Sequence, residues 1–235
     1  MPHHDATDRR RNRPSGPFEA VVFDFDGLVM DTESTMVEGW RREWAFHGLS
    51  LDLDAGFWPG HGGNVTEDRL DQLAAQAGPD FDRAASHARY REHREVLHRS
   101  LGLCPGIRDW LAEARTLGLR NAIASSSWSG WVRPHLERVN VLDHFDVLAT
   151  GEEVAAHKPD PAVYLLALDR LGVPASRAVA VEDTPHGIDA AHSAGMATVA
   201  IPNPFVDHAE FALADLVLPG AGDRRLAEVI RHLTG

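Results

Sequence analysis

The chain has 235 residues, of which 43% are hydrophobic and 25% charged, and a formal net charge of −12 at pH 7. That length holds one substantial core plus a smaller domain, and the composition is that of an ordinary globular protein. The acidic balance argues against nucleic acid or an anionic membrane as partner, because both need a surface excess of Lys and Arg, and the single cysteine, Cys104, excludes an intrachain disulfide.

The one basic cluster, Arg9-Arg10-Arg11 with Arg13, sits in a polar leader from Met1 to Pro17. The leader lacks the apolar residues needed to order itself, so residues 1–16 are expected to be a disordered tail. No apolar run approaches the ~18 residues of a membrane span, and no apolar segment follows the basic leader. With a lone thiol that suits a reducing compartment, the expected location is cytoplasmic.

Val21-Val22-Phe23 reads as a strand buried on both faces, and it ends in Asp24-Phe25-Asp26-Gly27. Two carboxylates two residues apart in extended chain point the same way, and the glycine lets the backbone turn close to a ligand. Like charges at the end of a buried strand need a partner, and a divalent cation with oxygen ligands is the usual one.

Downstream, Met36, Val37, Trp40 and Trp44 fall at helical spacing over Ser34 to Phe46, with Asp31 or Thr32 as N-cap and Gly48 closing the helix. Leu51 to Gly63 is too rich in Gly, Pro and aromatics for a regular element. Thr66 is expected to cap a helix carrying Leu70, Leu73, Ala74 and Ala77, which Gly78-Pro79 ends. Phe81 to Leu101 reads as a long charged helix whose apolar side is Ala84, Ala88 and Val96-Leu97. Only helices are legible over residues 33–102, the pattern of an inserted helical cap.

Helices and short apolar strands then alternate. Ile107 to Leu117 is a helix ended by Gly118, Ala122-Ile123-Ala124 a strand, Trp131 to Val139 a helix, and Phe145 to Ala149 a strand. Pro161 opens a helix to Leu171, followed by a strand at Ala178–Val181, a helix at Ile188–Ala194 and a strand at Ala197–Ile201. Asp215–Leu218 and Leu226–Leu233 complete the series. Such βαβ alternation implies an α/β fold with a doubly wound parallel sheet over 17–32 and 103–235, and such sheets bind ligands at the carboxyl ends of their strands.

Four predicted strand ends carry polar residues: Asp24 with Asp26, Ser125 with Ser126, Lys158, and Glu182-Asp183. Each alone has an ordinary reading, Ser125 or the acids as helix caps and Lys158 as a solvated surface group. Their coincidence at independently placed strand ends points to a site.

Asp24-Phe25-Asp26-Gly27 with Asp31-Thr32-Glu33, then Ser125, Lys158, and Glu182-Asp183-Thr184 with Gly187, resemble the four motifs of the haloacid dehalogenase-like (HAD) hydrolase superfamily. The likeness runs from about Phe18 to Leu218, in the branch of β-phosphoglucomutase-like and phosphatase-like members with a helical cap. It implies a Rossmann-like core and an enzyme, a phosphoric monoester hydrolase. By that resemblance Asp24 is the nucleophile, forming an aspartyl-phosphate, and Asp26 the acid and base. Mg2+ is the cofactor, held by Asp24, the Asp26 carbonyl and Asp183, with Glu182 in or beside its shell. Ser125, Ser126 and Lys158 contact the phosphoryl oxygens, and the cap closes over a small phosphorylated metabolite.

A phosphosugar mutase of the β-phosphoglucomutase type is the alternative. Its cap histidine and arginine fall here on Met36 and Thr66, with Arg69 or His61 as substitutes. A non-catalytic phospholigand-binding protein is a second alternative, for which Asp26 would have no use. Trp128, Trp131 and Trp58 have two readings, a stacking surface or packing; by burial tendency Trp131 is expected in the core and Trp128 partly exposed. His157 and His186 flank motif residues, and the fourteen histidines show no ligand pairing. Oligomeric state is not legible.

Overall fold

The computed structural model describes residues 16–53, 65–206 and 211–235. The expected tail up to residue 15, and Trp58 and His61 in the Gly-rich loop, lie outside the described residues. The chain forms two compact units, one of residues up to Met30 with Gly102–Gly235, the other of Asp31–Leu101.

The first unit is built on six parallel strands: β1 (Ala20–Phe23), β2 (Arg120–Ala124), β3 (Val147–Ala149), β4 (Ala178–Glu182), β5 (Ala197–Ala200) and β6 (Leu216–Val217). Their order is β3-β2-β1-β4-β5-β6. The chain therefore steps outward from β1 to β3, then returns to lay β4 on the other side of β1. The crevice at such a reversal is where doubly wound sheets bind ligands. All four β1 residues, Ala20, Val21, Val22 and Phe23, are fully buried, as a strand covered on both faces requires.

The second unit contains α1 (Thr32–Phe46), α2 (Val65–Ala77) and α3 (Arg83–Ser100). Asp31 caps α1 by accepting from the Ser34 amide at 3.0 Å. Helices α1 and α3 pack closely where Trp40 stacks on Tyr90, with ring centroids 3.7 Å apart. Gly39 permits this approach, since a Cβ there would lie 2.9 Å from Arg94 Cγ and 3.1 Å from the Tyr90 ring.

Two details of this unit differ from the sequence reading. Thr66 lies inside the first turn of α2, which begins at Val65. The buried side of α3 is Ser86, Tyr90 and His98, while Ala84 and Ala88 are exposed and Val96 is 52% exposed. Polar residues are buried there because α1 supplies their partners. Glu43, wholly buried, accepts from Ser86 Oγ at 2.6 Å and from Arg89 Nη2 at 2.6 Å. Thr35 Oγ1 donates to the Thr32 carbonyl at 2.6 Å and lies 2.8 Å from His98 Nε2.

The sheet is flanked by α4 (Ile107–Thr116), α5 (Ser129–Arg138), α6 (Ala162–Leu171), α7 (Pro185–Ser193) and α8 (Leu226–Thr234). Small residues on one sheet face, Ala20, Ala122, Ala124, Ala178 and Ala180, let α6 and α7 sit close, and Tyr164, Leu171 and Ala190 fill the layer. Helix α4 packs on β2 and α8, and its Glu113 caps α8 by accepting from the Leu226 amide at 2.8 Å. The chain enters α4 through Gly106, with φ of 85°, where a Cβ would lie 2.2 Å from the Gly222 amide nitrogen and 2.4 Å from the Ala221 carbonyl carbon. Neither backbone atom can swing away as a side chain would. Gly106→Ala should therefore lower stability by at least the ~1–3 kcal/mol of a strained backbone conformation, measured by chemical denaturation; a loss well below that would contradict the packing described.

Candidate active site

The register of the central strands builds the site. Phe23 of β1 pairs with Ile123 of β2 and Val181 of β4, so one residue on, Asp24, Ala124 and Glu182 stand in a row at the carboxyl ends. Alternation along a strand turns all three toward the face that carries α6 and α7. Lys158, just ahead of α6, sends its ammonium into the row. It donates to Asp24 Oδ1 at 2.5 Å, the Ala124 carbonyl at 2.8 Å and Glu182 Oε1 at 2.6 Å. Its side chain is 7% exposed.

Glu182 is held from every side. Tyr164 Oη donates to Oε1 at 2.6 Å, and Oε2 accepts from the Asp183 amide at 3.1 Å and Thr184 Oγ1 at 3.4 Å. Thr184 also caps α7, taking the Gly187 amide at 3.2 Å. A Cβ on Gly187 would fall 1.9 Å from Glu182 Cδ, so only glycine leaves room for this carboxylate. Asp183 accepts from Asn203 Nδ2 at 2.8 Å through Oδ2. Asp24, Glu182 and Asp183, all buried, each offer an oxygen, and these oxygens lie within 4.8 Å of one another.

Asp26 does not join this row. Gly27, at φ of 80°, turns the chain, and its amide bonds the Met30 carbonyl at 2.8 Å. The Asp26 carboxylate is instead engaged from the β2–α5 side: Ser127 Oγ donates to Oδ2 at 2.6 Å and Trp131 Nε1 to Oδ1 at 2.9 Å. Ser125 is buried, and its Oγ accepts from the Ser127 amide at 3.0 Å. Ser126 is exposed.

The sequence profile of the haloacid dehalogenase-like hydrolase family matches residues 21–201. The chain belongs to that family. The protein YhcW of Bacillus subtilis is 34% identical over 224 residues, 92% of this hydrolase and 97% of that protein. The phosphorylated carbohydrates phosphatase of Thermotoga maritima is 31% identical over 183 residues, 76% of this chain and 82% of its own. Among solved structures, a CbbY variant from Rhodobacter sphaeroides in complex with xylulose 1,5-bisphosphate superposes with a TM-score of 0.67 at 30% identity. That match covers 89% of this chain and 98% of CbbY.

Of the two tryptophans that follow Ser125 in this haloacid dehalogenase-like hydrolase, one departs from expectation and the other does not. Trp131 is half-buried beside Asp26 rather than in the core, because its indole N–H has a carboxylate to bind. Trp128 is 64% exposed, with its ring over Gly130, where a Cβ would lie 2.2 Å from the ring. Arg69 is buried within the helical unit, donating to Gln72. His157 is exposed and His186 partly buried. No site role for Ser127, Tyr164 or Asn203 was legible in the sequence, and Trp131 was legible only as a stacking surface or a packing residue. Asn203 follows β5 and was findable as one more strand end, whereas Tyr164 sits mid-helix and looks like any core aromatic.

Three buried carboxylates against one ammonium leave an excess of negative charge. Burial opposes the charge on Lys158, but Asp24 and Glu182 outweigh it and hold the ammonium above its ordinary lysine value. Burial pushes Asp24 up to about 8, against the pull of Lys158 and with the repulsion of Glu182 and Asp26 added. An acid whose folded-state pKa is raised stabilises the fold less as it ionises. Without divalent cations, the Asp24 contribution to stability should therefore fall as pH rises from near 3.8 towards about 8. Asp24→Asn should flatten that decline in melting curves recorded with a chelator; equal slopes for both proteins would refute the assignment.

Proposed function

We propose that this hydrolase is a Mg2+-dependent phosphatase of a small phosphorylated metabolite, a sugar phosphate or similar monoester, acting through an aspartyl-phosphate on Asp24. The observation that carries this reading is the row at the switch point, a carboxylate held by a buried lysine with two further buried carboxylates beside it. A relative that acts on phosphorylated carbohydrates and one seen with a sugar bisphosphate support the substrate class.

The residues fit a hard divalent cation. The donor set is all oxygen, and the Asp24 carboxyl stays ionised at neutral pH only if more positive charge arrives. Asp24, Asp183 and the Asp26 carbonyl would hold Mg2+. Glu182, whose two oxygens already serve Lys158, Tyr164, Asp183 and Thr184, would stand behind them. Bound there, Mg2+ supplies positive charge to the phosphoryl oxygens.

The Asp24 carboxylate attacks phosphorus in line with the ester oxygen, the P–O bond to the ester breaks, and Asp26 gives its proton to the leaving oxygen. Water then attacks phosphorus, Asp26 takes its proton, and the bond to Asp24 breaks, releasing phosphate and restoring the carboxylate. Lys158, with all three protons already donated, orients Asp24 more than it grips phosphate. Ser125 and Ser126, at the end of β2, are the proposed contacts to phosphoryl oxygens.

Hydrolysis of p-nitrophenyl phosphate and of a panel of sugar phosphates, with and without Mg2+, tests the reading. Turnover should require the cation and drop to background in Asp24→Asn. Metal-independent turnover, or full activity in that variant, would sink it.

A further inference from the structure

We propose that Trp131, together with Ser127, is a positioning residue that sets the plane of the Asp26 carboxylate for proton transfer. The inference rests on the acid and base role proposed for Asp26 and extends it to the two groups that hold its carboxylate.

Both Asp26 oxygens are engaged, Oδ2 by Ser127 Oγ at 2.6 Å and Oδ1 by Trp131 Nε1 at 2.9 Å. A carboxylate bound at one oxygen can still rotate about its last torsion; one bound at both cannot without breaking a bond. Each oxygen keeps a further lone pair for an ester oxygen or a water. Misplacement of a reacting group by about 1 Å costs on the order of a hundredfold in rate, so a fixed carboxylate plane bears directly on turnover.

The two donors are themselves fixed. The Ser127 amide binds Ser125 Oγ at 3.0 Å, and its carbonyl accepts from the Gly151 amide at 2.9 Å. A Cβ on Gly151 would lie 2.1 Å from the Ser126 carbonyl oxygen, so the end of β3 rests directly on the serine loop. The first turn of α5 is tied down where Glu152 Oε1 accepts from the Ser129 amide at 2.8 Å. One turn on, His135 braces the indole: its ring lies 4.1 Å from the Trp131 ring, and its Nδ1 donates to the Trp131 carbonyl at 2.8 Å. His135 also meets Phe25, between the two aspartates, with ring centroids 6.1 Å apart. Packing alone does not require the indole N–H to point at a carboxylate, and burial is incomplete; donation to Asp26 accounts for both.

General acid catalysis matters when the leaving group is poor, so the test compares two esters by kcat/KM, which reports the step that expels the alcohol. Trp131→Phe keeps a ring against His135 and removes the donor. Its kcat/KM on an alkyl phosphate, such as a hexose 6-phosphate, should fall roughly ten- to a hundredfold, a part of the ~10²–10⁴-fold that a general acid supplies. On p-nitrophenyl phosphate, whose phenolate leaves without a proton, the loss should stay within about threefold. Ser127→Ala should show the same skew, and carries the test if Trp131→Phe does not fold. Asp26→Asn is the reference and should show the skew most strongly. A skew in Asp26→Asn with none in Trp131→Phe or Ser127→Ala overturns the positioning role alone. No skew in Asp26→Asn overturns the proton-transfer role of Asp26, and the positioning role falls with it.

Discussion

The rest of this core depends on one ammonium group. Lys158 Nζ bonds Asp24, the Ala124 carbonyl and Glu182 at once, and so ties the ends of β1, β2 and β4 into a single row. Without it the row would hold like charges out of water, an arrangement that no packing of the surrounding alanines could offset. With it, the charge is still incomplete, because three buried carboxylates face one cation. The Mg2+ proposed for the site would make up that deficit, since burial by itself disfavours the Asp24 carboxylate. Tyr164, Thr184 and Asn203 spend their hydrogen bonds on this cluster and hold its carboxylates at fixed positions.

Asp26 belongs to a different support. The row that holds Asp24 stands on the sheet, where strand register fixes it, whereas Asp26 hangs from the turn at Gly27 and is gripped by Ser127 and Trp131. Two carboxylates only two residues apart are thus given separate surroundings, one dry and crowded, the other half-open and hydrogen-bonded by neutral donors. Separating the environments of two acids is the usual physical route to giving them separate chemical roles.

The helical unit shows a different solution to burial. Helix α3 carries too few apolar residues to pack by hydrophobicity alone, yet it seats Tyr90 on Trp40 and sinks Ser86 and His98 against Glu43 and Thr35. Hydropathy along α3 selects Ala84, Ala88 and Val96, which are exposed. A buried polar stripe is invisible without its partner, because the same residues on an unpartnered helix would be its wet face.

The sequence by itself determined the parallel α/β core, the order of its elements and the residues at the strand ends, because apolar period, glycine punctuation and abrupt polar strand ends are local signals. Asp24, Glu182 and Asp183 were legible in that way; Lys158, read as one more strand end, instead lies well past β3 and just before α6, and the structure brings it to the other three. Tertiary structure alone decided how they connect. That Lys158 bonds both carboxylates follows from the register of β1 against β4, and that Gly187 must be glycine follows from where Glu182 lies. The handover of Asp26 to Trp131 depends on α5 returning beside Gly27, more than a hundred residues along the chain. Hydrogen bonds between distant residues leave no periodic trace in a sequence, which is why a tryptophan expected in the core proved to be a partner of the site.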